Sequence, residues 1–323
     1  MALGEFDLIR QYFTREGKAP GVVLGVGDDA AIVQLASGDQ LLVSTDTLVA
    51  GRHFPPGTAP FDIGWKSLAV NLSDLAAMGA APRWCLLALT LPAADPAFLA
   101  GFAEGFWALA EQAGISLVGG DTTRGPLTIT VTVMGAVPAG QALRRDGAQP
   151  GDDIYVSGTL GDAGLGLALA EGRAPALPAA AAAAVLAALN RPQPRLALGQ
   201  ALRGLASSAL DISDGLAQDL GHILERSGVG ATVEAASLPL SAALLACEPA
   251  QARRWALGAG DDYELCFTAP RRQAAALARL AVEQHIRLTR IGHIEAGAGL
   301  RILDQGQPLA LAAAGFQHFQ GTP

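Results

Sequence analysis

The sequence predicts an α/β protein of two domains, and three observations carry that prediction. Strand-period and helix-period apolar patterns alternate through both halves of the chain. A polar, Gly- and Pro-rich stretch, AGQALRRDGAQPGDD, interrupts the alternation between Pro138 and Asp153. The length of 323 residues also exceeds what one compact core usually takes up, roughly 100–200 residues. We place the boundary so that one domain spans 1–145 and the other 146–323.

Taken in order, Phe6, Ile9 and Phe13 share one face of a short helix near the start. GVGDDAAIV reads as strand, turn, strand. QLLVSTDTLVAG is expected to be a buried strand that ends in a polar corner, Ser44-Thr45-Asp46-Thr47. From Asp62 to Gly79 the period becomes helical, with Ile63, Ser67, Val70, Asp74 and Met78 in one stripe and Gly79 as a stop. RWCLLALTLP is a strand. The stretch 96–114 is an amphipathic helix displaying Phe98, Phe102, Phe106 and Leu109. In ISLVGGDTTRGPLTITVTVMGAV, Leu127, Ile129, Val131 and Val133 alternate with threonines, marking two strands joined by a Gly-Asp loop. The second half opens with the strand DIYVSG and a glycine-spaced helix start. The Ala-rich, Pro-bounded tract at 174–195 reads as a helical hairpin. SSALDISDGLAQDLGHILERSG is strand, aspartate turn and helix, and RWALGAGDDYELCFTA is a Gly-Asp turn leading into a strand.

Composition narrows the function. A formal charge of −8 argues against a nucleic-acid protein, which needs a basic stripe to neutralise backbone phosphate. Lys18 and Lys66 are the only lysines, so contacts to an anionic ligand must come from arginine forks, backbone N–H groups or metal ions. Cys85, Cys247 and Cys266 form no CxxC pair, which leaves zinc and redox chemistry without support. The opening MALGEFDLIRQYF carries Glu5 and Asp7 where a signal peptide needs a basic start, and no strongly apolar run of about 18 residues occurs. The expectation is a soluble, cytoplasmic protein that is not bound to a membrane.

The chemistry lies in repeated aspartates set beside Gly, Ser or Thr at the ends of apolar elements. They are Gly27-Asp28-Asp29, Ser44-Thr45-Asp46, Ser73-Asp74, Gly119-Gly120-Asp121, Asp211-Ile212-Ser213-Asp214-Gly215 and Gly260-Asp261-Asp262. Any one of them is explained by a helix cap or a turn. As a set they supply carboxylate and hydroxyl oxygens without His or Cys clusters, which suits a hard cation such as Mg²⁺. No GxxxxGK[ST] loop, EF-hand loop or protein-kinase signature is present. Gly158, Gly161, Gly164 and Gly166 after DIYVSG suit either a phosphate-cradling helix start or close packing.

GEFDLI, GVGDDAA, STDTLVAGRHF, KSLAVNLSDLAAMGA, GGDTTRGPLTIT, ALDISDGL and GDDYELCF, in this order along the chain, resemble the thiamine-monophosphate kinase family. That family shares a superfamily with aminoimidazole ribonucleotide synthetase and selenophosphate synthetase. The resemblance implies an α/β (α+β) fold of the aminoimidazole ribonucleotide synthetase type. Its N-terminal domain pairs sheets in a homodimer and binds ATP and Mg²⁺, and its C-terminal mixed-sheet domain closes the active-site cleft. It implies ATP-dependent phosphorylation of thiamine monophosphate to thiamine diphosphate, the last step of thiamine diphosphate biosynthesis, with several Mg²⁺ ions. The positions matching metal ligands are Asp29, Ser44, Thr45, Asp46, Asp74, Asp121, Asp211 and Asp214. Those matching ATP contacts are Gly120, Asp121, Arg145 and Ser213, and those matching substrate contacts are His53, Asp262 and Phe316. Two positions depart from the family's wording: Asp261 stands where Glu is common, and Phe316 where Tyr is common.

No general base is expected, because the acceptor is a phosphate monoester with a second pKa of about 6, already dianionic at neutral pH. The thiazolium's positive charge would suit the acidic pair Asp261–Asp262 and the ring of Phe316. Within the superfamily, selenophosphate synthetase would need a reactive Cys early in the chain, and none precedes Cys85. Aminoimidazole ribonucleotide synthetase fits STDTLVAGRHF and NLSDLAAMGA less well. A non-catalytic nucleotide- or metal-binding regulator would keep the phosphate-side aspartates but lose the acceptor side.

Overall fold

A computed structural model describes residues 5–15, 20–27 and 29–309. The chain forms two compact units, Met1–Leu75 with Ala80–Gly140, and Ala76–Gly79 with Gln141–Pro323.

In the first unit, helix α1 (Glu5–Leu8) runs into a π-helical turn at Ile9–Phe13, and the short strands β1 (Val22–Leu24) and β2 (Ile32–Val33) pair antiparallel. There follow β3 (Asp39–Val49), α2 (Pro60–Ala77), β4 (Ala81–Leu91), α3 (Pro96–Ala113), β5 (Ser116–Arg124) and β6 (Thr128–Pro138). Helix α3 matches its predicted span closely. Asp95 caps it by accepting from Ala97 N–H, Pro96 stands in its first turn, and Gly114 ends it in the left-handed region.

The four strands form one sheet in the order β3-β6-β4-β5. Only β4–β5 is parallel. Cys85, Leu87, Leu89, Ile129, Val131 and Val133 are buried on one side of this sheet, alternating along their strands as period-2 geometry requires.

Three sequence expectations change here. The 44–47 segment is no corner: β3 stays in register with β6 from Asp39 to Val49, so the polar residues sit mid-strand. Nor is β3 buried, because it is a sheet edge, with Leu41 45%, Val43 59% and Val49 37% exposed. Likewise GGDTTR belongs to β5 and the turn comes after it. A Cβ at Gly120 would come within 1.9 Å of the Leu87 carbonyl oxygen, so only glycine lets this strand lie so close to β4.

The second unit contains β7 (Asp152–Ser157), α4 (Asp162–Ala170), α5 (Ala179–Asn190), α6 (Leu196–Ala201), β8 (Ser208–Asp211), α7 (Leu216–Ser227) and β9 (Gly230–Glu234). It continues with α8 (Ala242–Leu245), α9 (Pro249–Gly258), β10 (Leu265–Pro270), α10 (Ala274–Glu283), β11 (Leu288–Glu295), β12 (Gly299–Asp304) and β13 (Gln307–Pro308). The seven-stranded mixed sheet has the order β13-β12-β9-β11-β7-β10-β8, with β12–β9 its parallel pair. Every residue of central β7 is buried, which explains the unbroken DIYVS run. Ile154 and Val156 join a cluster with Leu210, Ile212, Leu220 and Ile223. Tyr155 stacks on Phe267 at 5.5 Å in a second cluster.

The tract at 174–195 is a single helix and not a hairpin. Pro178 precedes its first residue, and the prolines of RPQP prevent helix from continuing past Asn190. Its partner is α4, where Gly166 lets the Val185 carbonyl approach. No helix among the described residues is long and apolar enough to cross a membrane.

Candidate functional site

Register places the first group of residues. Thr47 pairs with Thr130, Thr130 with Ala88, and Ala88 with Asp121, so these four form one row across the sheet of the first unit. Thr45, Thr132 and Leu86 form the next row on the same face. This face is open and sets threonine hydroxyls among apolar side chains such as Val43 and Leu86: Thr47 and Thr130 hydroxyls are 2.8 Å apart, and those of Thr45 and Thr132 are 3.0 Å apart. Over it lies a cavity of about 1050 Å³ whose walls include Asp29, Gly119, Gly120, Asp121, Thr130 and Thr132. Two exposed carboxylates, Asp29 and Asp121, thus share one cavity large enough for a nucleotide-sized ligand.

The opposite face of β3 carries Ser44 and Asp46, because side chains alternate along a strand. Ser44 donates its hydroxyl to Asp74 Oδ2 on α2 at 2.5 Å, and the Asp46 backbone N–H donates to Asn71 Oδ1 at 2.8 Å. Asn71 is fully buried and holds its own orientation by donating to Ser67 O. Ser44, Asp46 and Asp74 are therefore brought together on the helix side. Thr45 is not, since its hydroxyl bonds Thr132 and the Val131 carbonyl on the other face. His53, in the turn after β3, accepts the Val49 N–H at Nδ1 (2.9 Å), which places a ring proton on Nε2.

In the second unit, the DISDG turn leaves the end of β8. Asp211 is buried, and Ser213 and Asp214 are half-buried. The turn is laced to the GDDYEL segment before β10. Asp261 N–H donates to Ser213 O, Tyr263 N–H to Ile212 O, and Ile212 N–H to Glu264 O, each at 2.8 Å. Gly260, at φ +72°, is needed here because a Cβ would lie 2.4 Å from Ser213 O. Asp211, Ser213, Asp214, Asp261 and Asp262 thus converge on two adjoining turns.

The acidic pair is split by its backbone. Asp261 and Tyr263 both have positive φ, and the Tyr263 hydroxyl donates to Asp261 Oδ1 at 3.1 Å. Asp262 accepts the Gly161 N–H at 2.8 Å, while its Oδ2 is buried without a hydrogen-bond partner. Burial, followed by the neighbouring Glu264, Asp162 and Asp261 charges, pushes its carboxyl well above the usual range, against the Gly161 amide, which favours the charged form. The glycine-spaced start of α4 is consequently occupied at Gly161 by a carboxylate of this chain.

Sequence reasoning missed four residues. Asp219, on the first turn of α7, accepts the backbone N–H groups of Ser213, Asp214 and Gly215 at Oδ2, each at 3.0 Å. It is buried, and burial raises its carboxyl to about 6 although the three amides pull the other way. An acid one turn into a helix that follows Ser-Asp-Gly is a capping signal that was available in the sequence. Arg195 and Glu264 form a two-pronged ion pair, and Ser157 donates to Glu264 at 2.5 Å. Nothing local in the sequence joins residues 157, 195 and 264.

Arg145 is exposed and lines a pocket of about 440 Å³ with His222, Glu225 and Arg226. Phe316 lies outside the described residues.

Among the described residues no three His, Cys, Asp or Glu side chains form a ready-made metal cage. The candidate metal-binding groups are all oxygen, placed by the interiors of β3 and β5, by α2, and by the turns at Asp29 and after β8.

Residues 27–137 match the N-terminal domain of the AIR synthase related proteins, and residues 149–305 match the C-terminal domain. The chain is 49% identical over 326 residues to the thiamine-monophosphate kinase of Escherichia coli (strain K12), covering 100% of both sequences. The crystal structure of thiamine-monophosphate kinase from Stenotrophomonas maltophilia K279a is similar at a TM-score of 0.84 and 54% identity, over 88% of this chain and 91% of that one. A structure of AaThiL complexed with AMPPCP and TMP is similar at a TM-score of 0.77 and 32% identity, over 91% of this chain and 92% of that one.

Proposed function

The chain belongs to the thiamine-monophosphate kinase family, and we propose that it transfers the γ-phosphoryl group of ATP to thiamine monophosphate. The products are thiamine diphosphate and ADP, in the last step of thiamine diphosphate biosynthesis. The observation that carries this reading is the full-length match to kinases of that name, joined to a relative that binds an ATP analogue and TMP together.

The reaction is an in-line displacement. A terminal oxygen of the thiamine monophosphate phosphate forms the new P–O bond, and the bond from the γ-phosphorus to the β–γ bridging oxygen breaks. Because the acceptor is a dianion above a pKa of about 6, no residue need remove a proton. The obstacle is repulsion between two polyanions, about 4 kcal/mol for each pair of unit charges 4 Å apart at an effective dielectric near 20.

Asp29, Ser44, Thr45, Asp46, Asp74, Asp121, Asp211 and Asp214 are the residues we assign to Mg²⁺. When bound, the ions supply charge neutralisation and orientation of the phosphates. The side-chain placements support this assignment for Ser44, Asp46 and Asp74 as one group, Asp29 and Asp121 as a second, and Asp211 with Asp214 as a third. We assign Gly120, Asp121, Arg145 and Ser213 to ATP. Gly120 brings bare backbone to the cavity floor, and Arg145 offers an exposed guanidinium. His53, Asp262 and Phe316 are assigned to thiamine monophosphate. The Oδ2 of Asp262 is buried without a hydrogen-bond partner, and a cationic neighbour such as the thiazolium would favour the ionised form that burial disfavours.

We assign 1–145 to ATP binding and dimerisation and 146–323 to closing the site. The apolar edge strand β3, with Leu41, Val43 and Val49 facing outward, supports a homodimer formed by pairing sheets. The enzyme works in the cytoplasm in this reading. The test is acceptor dependence: ADP release from ATP and Mg²⁺ must require added thiamine monophosphate and must not occur with unphosphorylated thiamine.

A further inference from the structure

We infer that Asp219 is a positioning residue for phosphoryl transfer, fixing the Ser213–Gly215 turn so that it presents side chains and not amides to the ligand. The inference rests on the assignment of Asp214 to Mg²⁺ and Ser213 to ATP. Three consecutive backbone N–H groups, from Ser213, Asp214 and Gly215, converge on a single oxygen, Asp219 Oδ2, at 3.0 Å each. Such a convergence is the geometry of an anion-binding nest, and nests of this kind commonly take ligand phosphates. Here the anion is the chain's own carboxylate, 4% exposed and carried by α7.

The consequence for the turn is specific. Its amides are already used, and the Ser213 carbonyl is taken by Asp261 N–H. What the turn directs toward a ligand is the Ser213 hydroxyl and the Asp214 carboxylate, whose Oδ2 accepts from Gln218 Nε2 at 3.2 Å. Asp219 also spans the turn from a helix, so its carboxylate ties the direction of the Asp214 side chain to the axis of α7. The Asp219 N–H donates back to Gly215 O at 3.0 Å, closing the loop on itself. Outer groups that orient metal-binding carboxylates are typically worth about 10–100-fold in metal affinity. Asp219 should act through Asp214 on that scale.

The test is a double-mutant cycle read by equilibrium Mn²⁺ binding, followed by electron paramagnetic resonance in the presence of AMPPCP, so that turnover plays no part. Asp219→Asn keeps an acceptor but removes the charge. We expect it to stay folded by circular dichroism and to bind Mn²⁺ about tenfold more weakly or worse. Asp214→Asn should weaken Mn²⁺ as well, and the double variant should be no weaker than Asp214→Asn alone, since both act on one ligand. Additive losses, or wild-type Mn²⁺ binding by Asp219→Asn with weakened binding by Asp214→Asn, would overturn the positioning role. Wild-type binding by Asp214→Asn would instead remove the metal assignment and the inference with it. Should Asp219→Asn not fold, amide hydrogen exchange on the wild-type chain decides. Ser213, Asp214 and Gly215 are expected to be protected as a set, and exchange at unprotected rates would overturn the proposal.

Discussion

Ser44 donates its hydroxyl to Asp74 across 2.5 Å, tying the middle of β3 to the last turn of α2 thirty residues later. Both residues are assigned to the same metal-binding group, so this bond sets one carboxylate before any ligand arrives. Replacing Ser44 with alanine should lower kcat/KM for thiamine monophosphate about tenfold and raise the Mg²⁺ concentration needed for half-maximal rate. Steady-state kinetics over a Mg²⁺ series checks this; an unchanged Mg²⁺ dependence would separate Ser44 from the metal.

The Arg195–Glu264 pair predicts a stability effect. Glu264 is 8% exposed and Arg195 29%, so removing the arginine strands a buried carboxylate. Arg195→Met should cost about 3 kcal/mol, the low end of the range for a broken buried pair, because the guanidinium is partly solvated. Urea unfolding measures it. The double variant Arg195→Met/Glu264→Met should be less destabilised than Arg195→Met alone, since no unpaired charge remains.

Asp262 predicts a pH dependence. Its folded-state carboxyl lies well above the ordinary aspartate value, chiefly through burial. A raised pKa means that the group's favourable contribution is complete below the unfolded aspartate value and is lost as pH rises through the folded one. Asp262→Asn should therefore become progressively more stable than wild type as pH rises, while its KM for thiamine monophosphate increases. Thermal melts at several pH values, set beside KM, check both halves. A stability difference that does not grow with pH contradicts the first, and an unchanged KM the second.

Long periodic elements were legible in the sequence, and the reasons are local. Helix α3 announced itself through Asp95-Pro96, its phenylalanine stripe and Gly114, and β6 through alternating threonines. The edge position of β3 was not legible, because Leu41 and Val43 read as core wherever the neighbouring strand is unknown. Asp121 was misplaced in a loop because two glycines normally signal a turn, whereas Gly120 serves close strand packing. Of the candidate site, the aspartates were visible as residues but their grouping was not. Alternation along β3 sends Thr45 away from Ser44 and Asp46, and the contacts of Asp219 and Glu264 depend on pairings that a linear reading cannot supply.

Edge strand β3 predicts the oligomeric state. Val43, 59% exposed at its centre, becomes a charged obstacle as Val43→Lys. Wild type should elute as a dimer in gel filtration with light scattering, and Val43→Lys as a folded monomer. A wild-type monomer at micromolar concentration would refute sheet pairing.

The account turns most directly on where the phosphoryl group goes. ATP radiolabelled at the γ-phosphate is incubated with the protein, Mg²⁺ and thiamine monophosphate, and the products are separated. The label should appear in thiamine diphosphate, in a one-to-one ratio with ADP, and Asp211→Asn should lower that transfer at least about 100-fold. Label released only as inorganic phosphate, with no thiamine diphosphate formed, would contradict the account.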